Sequence, residues 1–462
     1  MDRYSMSNGR CEFPGTGNVL AVDESAKNED SQNLILIILG GFRWDYIDIH
    51  LNSSHHGFKH ILQNGGRAKY IEPVFPATTL PNLQTIATGL YPEQHGIVDN
   101  YMYDRSTWQT FSMDDPDSAR NPEWWDAAEP LWVTARKHGL SHVYTADAAR
   151  CNLPWADLIP TYCGPLQGQL STALECIENN SCNLVISNIG SVEAAGLQHG
   201  PKSSEVAAAV REVDSALTCL WKNLTSKGMV HRTNVVLVSD HGITPVGSSD
   251  VKEISLDACV DWNVMIATVG CGGYIVFQPI QGTQITVWNA LKACHQIKGK
   301  TLNAMTKLLY PEWHYSHNYR IMKIIVIANK GFFLQCPNIS AALDPTWQGE
   351  EKQQGMAGYD NTFGNNPDMR GVLLAKGPAF HPGSVTDGVH QVDVYSLLCN
   401  ALQLPCIIGE GNTTRIAPLL TSPPEPETVA EASTGAAASL VHPRLDLMAG
   451  LGMGILYLLS NF

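Results

Sequence analysis

Five apolar runs of strand length, Leu34–Leu39, Leu184–Ser187, Val235–Val238, Ile324–Ala328 and Val372–Ala375, constrain most strongly what this chain can fold into. They are nearly continuous rather than alternating, so each strand must be covered on both faces, as in a parallel sheet held between two layers. Helical stripes lie between them. Glu205–Leu220 sets Val206, Val210, Val213, Leu217 and Leu220 on one face, and Val392–Leu402 carries a similar stripe. Strands alternating with helices predict a doubly wound α/β layer fold, in which ligands bind beyond the carboxyl ends of the strands.

The rest of the 462 residues divides by composition. Residues 1–33 are polar and lack the apolar stretch of a secretory signal. The body runs from 34 to 420, and its stretch from about 245 to 340, which mixes short strand-like and turn-like pieces, reads as an insertion. Residues 421–446 form a Pro/Ala/Ser-rich stalk, and 447–462 an apolar tail too short to span a bilayer as a straight helix. Three readings stand for the tail, a lipid-anchor addition signal, a truncated membrane span or a nonfunctional tail, and the first two hold the protein to a membrane.

Twelve cysteines without a CxxC pair argue against a zinc knuckle and suit an oxidising compartment, with Cys399 and Cys406 spaced for a local bridge. Sequons at Asn52, Asn179, Asn223, Asn338 and Asn412 point to a glycoprotein. The compartment predicted is the extracellular face of the plasma membrane, on condition that a signal peptide precedes this start. A net charge of −14 with no run of basic residues argues against binding to a nucleic-acid backbone, which needs clustered Lys and Arg.

Two segments carry chemistry. In 234–242 an apolar strand ends in Asp240-His241-Gly242, offering a carboxylate oxygen and an imidazole nitrogen suited to zinc, or else a helix cap beside a packed histidine. In 75–89 a turn becomes a helix near Thr79, whose hydroxyl is either a cap or a nucleophile with Asn82 stabilising charge on a phosphoryl oxygen. His55-His56 reads as an exposed loop pair and Trp124-Trp125 as packing.

These residues, with GFRWDY at 41–46, FPATTLPN at 75–82, TGLYPEQHGIVDNYMYD at 88–104, VSDHGIT at 238–244, WHYSHNYR at 313–320 and GYDN at 358–361, resemble the ecto-nucleotide pyrophosphatase/phosphodiesterases of the alkaline phosphatase superfamily. The resemblance implies an α/β/α sandwich with a mostly parallel sheet, two zinc ions, and a Thr nucleophile that forms a covalent intermediate. It places the nucleophile on Thr79, the oxyanion-stabilising amide on Asn82 and the Asp-His zinc pair on Asp240 and His241. It leaves His314 and His317 in a structural segment.

Carried over position by position, the metal ligands divide. The family's first Asp falls on Gly40, its Asp-His pair four residues apart on Glu193 and Leu197, and its last His on Ala357. His199 is two residues displaced, on a segment read as loop. One zinc site thus loses both histidines, while the other keeps Thr79, Asp240 and His241. The cofactor expected is at most one zinc, held by Asp240, His241, Thr79 and, as a longer carboxylate, Glu193. The function expected is that of a catalytically impaired cell-surface binding protein taking a nucleotide or phospholipid, with no protein partner named. The alternative is a weak or altered-metal phosphodiesterase acting on nucleotide or choline-phospholipid diesters.

Overall fold

A computed structural model describes residues 32–52, 54–140, 143–147, 161–162, 166–247, 250–294, 302–306, 311–335, 342–343, 353–361, 366–405, 407 and 409–422. The stalk, apart from 421–422, the tail, the polar segment through residue 31, and Cys11, Cys151, Cys163, Cys336, Asn338 and Cys406 lie outside the described residues.

The chain lays down β1 (Asn33–Leu39), β2 (Gly66–Glu72), β3 (Val143–Asp147), β4 (Thr161–Tyr162), β5 (Leu184–Ile189) and β6 (Thr233–Ser239). Next come β7 (Met265–Val269), β8 (Tyr274–Pro279), β9 (Leu302–Thr306) and β10 (Ile324–Ala328), followed by β11 (Leu373–Lys376) and β12 (Val385–His390). Among the described residues the main sheet has eight strands in the order β12-β2-β11-β6-β1-β5-β3-β4. Every pair in it is parallel except those made by β11, which runs antiparallel to β2 and β6.

The two-sided covering required by the apolar runs is visible in β1. Leu34, Leu36 and Ile38 join one buried cluster, and Ile35, Ile37 and Leu39 join the other. On the first face lie α2 (Thr79–Thr88) and α6 (Asp393–Leu402); on the second lie α1 (Gly57–Asn64), α3 (Leu166–Glu178) and α5 (Ser204–Ser226). This is an α/β/α sandwich. In α5 the predicted stripe of Val206, Val210, Val213, Leu217 and Leu220 is buried, each side chain contributing about 1.5–3 kcal/mol by leaving water. Ser203 starts this helix by accepting a hydrogen bond from the N–H of Val206.

Two of the five runs do not lie in parallel pairs. Ile324–Ala328, as β10, belongs to a separate four-stranded antiparallel sheet in the order β7-β8-β10-β9. Its continuous apolar character has the same cause as in β1: Ile325 and Ile327 face one buried cluster, while Ile324, Val326 and Ala328 face another. The run at 372–375 is the antiparallel β11. Its place inside the sheet buries it whatever its direction, so burial on both faces reports depth rather than strand sense.

Disulfides join Cys176 to Cys182 and Cys259 to Cys294, with Cα atoms 5.5 and 5.4 Å apart. Cys219, Cys271 and Cys399 are disulfide-bonded as well. Among the described residues no helix is long and apolar enough to cross a membrane.

Candidate active site

Strands β6, β1 and β5 are adjacent and in register, Leu39 standing opposite Ser239 on one side and Ile189 on the other. The residues that follow each strand therefore emerge side by side at one edge: Asp240 after β6, Gly40 after β1, and α4 (Ser191–His199) after β5, which carries Glu193 in its first turn.

Asp240 caps no helix. Its Oδ1 accepts hydrogen bonds from the N–H groups of Gly41 (3.0 Å) and His241 (2.7 Å), tying the ends of β6 and β1 together. Gly41 sits in the left-handed region with φ 62°, where a Cβ would run into Ile243 and Glu193, so this turn requires glycine. His241 Nδ1 donates to Gly242 O at 3.0 Å, because a carbonyl can only accept. That fixes the ring with Nε2 turned inward.

The inward atoms are Asp240 Oδ2 and His241 Nε2, which lie 3.5 Å apart, are buried, and make no hydrogen bond. Glu193 Oε1 approaches His241 Nε2 to 3.4 Å. Glu193, Asp240 and His241 each bring a ligand atom within 4.8 Å of the others, as a metal site requires. Burial disfavours the charged imidazole, yet the carboxylates of Asp240 and Glu193 outweigh it and push His241 up to about 9. Burial also raises Asp240 to about 6, against the pull of His241.

Thr79 opens α2 but does not cap it, since Thr78 is the N-cap and makes no side-chain cap bond. The Thr79 hydroxyl instead donates to Glu193 Oε1 at 3.1 Å, which turns it toward the carboxylate cluster. Asn82 requires a correction. Its Oδ1 accepts from Val74 N–H, and its amide donates to Pro76 O (3.2 Å) and Thr78 O (2.8 Å), so neither N–H is left for a phosphoryl oxygen. Fully buried, it holds the turn that presents Thr79.

Where the resemblance places the other ligands stand Leu197 and Ala357, on backbone that is tied in place. Leu197 stands on α4 one turn after Glu193, and its carbonyl accepts from Gln354 N–H at 3.0 Å. Gly358 N–H donates to Ala77 O at 2.9 Å, binding the 357 segment to the turn of Thr79. His199 is no substitute. It ends α4 rather than lying on a loop, is exposed, and sits about 240° around the helix from Glu193, where Leu197 sits at about 40°.

Sequence reasoning missed the brace behind the Asp-His turn. Arg43 is nearly buried and donates to Ile243 O (3.1 Å) while pairing with Asp45 (2.7 Å) and Asp368 (3.1 Å). Asp368 also accepts from Thr244 Oγ1 (2.8 Å) and pairs with Lys330 (2.6 Å). The signal available was the Arg-x-Asp in 41–46; its partner 325 residues on was not.

Trp124 is buried with Arg320 over its ring, and Trp125 donates to Ala119 O. His314 stacks on Tyr91, and the exposed His317 pairs with Glu93 at 3.4 Å. In the 55–56 pair, His55 accepts from Asn52 N–H and the His56 backbone N–H donates to Asp214.

The family model described as type I phosphodiesterase / nucleotide pyrophosphatase matches residues 34–360. The chain belongs to this family. Human bis(5'-adenosyl)-triphosphatase ENPP4 is 29% identical over 381 residues, covering 80% of this chain and 78% of that protein. Human ectonucleotide pyrophosphatase/phosphodiesterase family member 5 is 29% identical over 406 residues, covering 85% and 79%. Among solved structures, murine family member 5, as an inactive threonine-to-alanine variant in complex with AMP, superposes with a TM-score of 0.72 at 26% identity, covering 84% of this chain and all of that one. The fold is that of the alkaline phosphatase superfamily, as the family implies. The family is generally metal-dependent, and in this chain the cluster of Glu193, Asp240 and His241 suits an ion.

Proposed function

We propose that this chain is a nucleotide-binding member of the family, displayed at the cell surface, whose phosphodiester hydrolysis is impaired because it keeps one of two metal sites. The observation that carries the reading is the unequal state of the two halves: Thr79, Asp240 and His241 converge, whereas the family's other histidine positions hold Leu197 and Ala357. Two orphaned buried atoms and a nearby carboxylate make a donor set of oxygen and nitrogen that fits zinc. Such an ion, held by Glu193, Asp240 and His241, would supply positive charge for a phosphoryl oxygen and for the nucleophile.

The chain's own residues contribute the rest. Asn82 positions Thr79, Glu193 Oε1 accepts the Thr79 hydroxyl hydrogen, and the Arg43 brace holds the Asp-His turn. Support for a nucleotide ligand comes from the murine relative, which was solved with AMP. Support for an extracellular site comes from the disulfides, which persist in oxidising compartments, and from the "ecto" in the human relative's name. On this reading the 447–462 tail is the membrane anchor.

The test is AMP binding by calorimetry, with hydrolysis of a nitrophenyl nucleotide ester measured beside human ENPP4. We expect AMP to bind and turnover to lie at least about 10²-fold below that relative, equivalent to ~2.7 kcal/mol of lost transition-state stabilisation. Comparable turnover would overturn the reading.

One observation favours a second reading, a weak altered-metal phosphodiesterase: the Thr79 hydroxyl points at a carboxylate able to accept its proton. Slow turnover that disappears in Thr79→Ala supports it; turnover unchanged in that variant removes it.

A further inference from the structure

We infer that Glu193 has taken over the role of the side chain missing at position 40, so that Glu193, Asp240 and His241 form one rebuilt ion site beside Thr79. This rests on the single-site reading above and assigns a residue to it. In the family pattern, position 193 serves the ion site that has lost its histidines, and position 40 the site that survives. The inference is that a carboxylate has crossed from one to the other.

Gly40 is not a glycine for conformational reasons, since its backbone lies outside the left-handed region that Gly41 occupies. What fills the space in front of it is Glu193. A Cβ built on Gly40 would stand 3.0 Å from Glu193 Oε2 and 3.3 Å from Ile189 O, so a side chain at 40 and this carboxylate compete for one volume. Glutamate reaches there where aspartate would stop short, because it carries one more C–C bond, about 1.5 Å. The other oxygen, Oε1, lies 3.1 Å from Thr79 Oγ1 and 3.4 Å from His241 Nε2.

The site is aimed as well as assembled. Asp240 and His241 are 1% and 0% exposed, and each points an atom without a hydrogen bond, Oδ2 and Nε2, toward the same space. Buried polar atoms seldom lack a hydrogen bond; these two meet each other at 3.5 Å and the Glu193 carboxylate at 3.4 Å from Nε2, and a shared cation would satisfy all three groups. Two carboxylates and one neutral imidazole also balance a divalent charge. The two changes therefore form one event: losing the side chain at 40 opens the room, and Asp to Glu at 193 refills it with the same functional group.

The experiment is a calorimetric titration of metal-free protein with Zn²⁺, with circular dichroism confirming the fold of each variant. Wild type should take up one ion per chain. Glu193→Gln, nearly the same size, should bind at least about tenfold more weakly. Moving the carboxylate back, in the double variant Gly40→Asp/Glu193→Ala, should restore affinity to within about threefold of wild type, whereas Glu193→Ala alone should not. Should Glu193→Gln fail to fold, Glu193→Ala and the double variant decide the matter, with Co²⁺ absorption as a second readout of the ligand set.

A Glu193→Gln affinity equal to wild type, or a folded double variant no better than Glu193→Ala, overturns the exchange while leaving the single-site reading intact. A wild type that binds no Zn²⁺ overturns both.

Discussion

At the carboxyl edge of the main sheet, Asp240 and His241 stand directly after a strand, whereas Leu197 stands late in α4 and Ala357 in the 353–361 segment. The difference lies in what each side chain does for the fold. Asp240 Oδ1 satisfies two backbone N–H groups, and His241 Nδ1 satisfies Gly242 O, so these residues hold the turn whether or not they hold an ion. At 197 and 357 it is the backbone of the segment that makes the structural bonds, to Gln354 and through Gly358 to Ala77. Those backbone bonds do not depend on which side chains stand at 197 and 357. On the proposed reading, the half that also supports the fold is the one that keeps its ligands.

The strongest way to break this contrast is to rebuild the missing half. Gly40→Asp/Glu193→Asp/Leu197→His/Ala357→His should bind a second ion and raise nitrophenyl-ester hydrolysis at least about 10²-fold. No gain, with two ions bound, would mean that something besides the ligands disables the site.

Stability should separate the halves next. Asp240→Ala strands two buried N–H donors and should cost about 2–4 kcal/mol in chemical denaturation of the metal-free protein. Leu197→Ala, at a half-buried position, should cost only ~1 kcal/mol. Equal costs would erase the distinction.

Much of this was legible in the residues, and the misses have physical causes. Continuous apolar runs identified strands but not their sheet or direction: β10 lies in a separate sheet within the stretch read as an insertion, and β11 runs antiparallel, because both faces are covered in either case. The motifs named Thr79, Asp240 and His241, and the fold brings these residues together around Glu193. The same motifs misread Asn82, since an amide four residues into a helix looks the same whether it faces a ligand or its own turn. Glu193 could be named but not placed: that its carboxylate fills the room before Gly40 depends on the register between β1 and β5, which no local pattern carries. The Arg43–Asp368 brace was invisible for the same reason.

Two buried histidines sharpen the contrast at the smallest scale. Carboxylates hold His241 above its usual range, whereas burial alone drives His95 down to about 3. His95 Nδ1 accepts from Ile97 N–H, and Nε2 lies 3.1 Å from Thr85 Oγ1, an arrangement for the neutral ring. With its folded pKa below its unfolded one, His95 contributes stability in full above about pH 6.5 and loses it as pH falls toward 3. Denaturation between pH 6.5 and 4 should show a slope about 1.4 kcal/mol per pH unit smaller in His95→Gln than in wild type. Identical slopes would place the titration elsewhere.

The central claim, that one metal site survives and the other does not, meets its most direct test in the metal content of the folded chain, read by native mass spectrometry after equilibration with excess Zn²⁺ and desalting. The account predicts a single bound ion per chain, lost in Asp240→Ala. Two ions retained by the wild-type chain would contradict it.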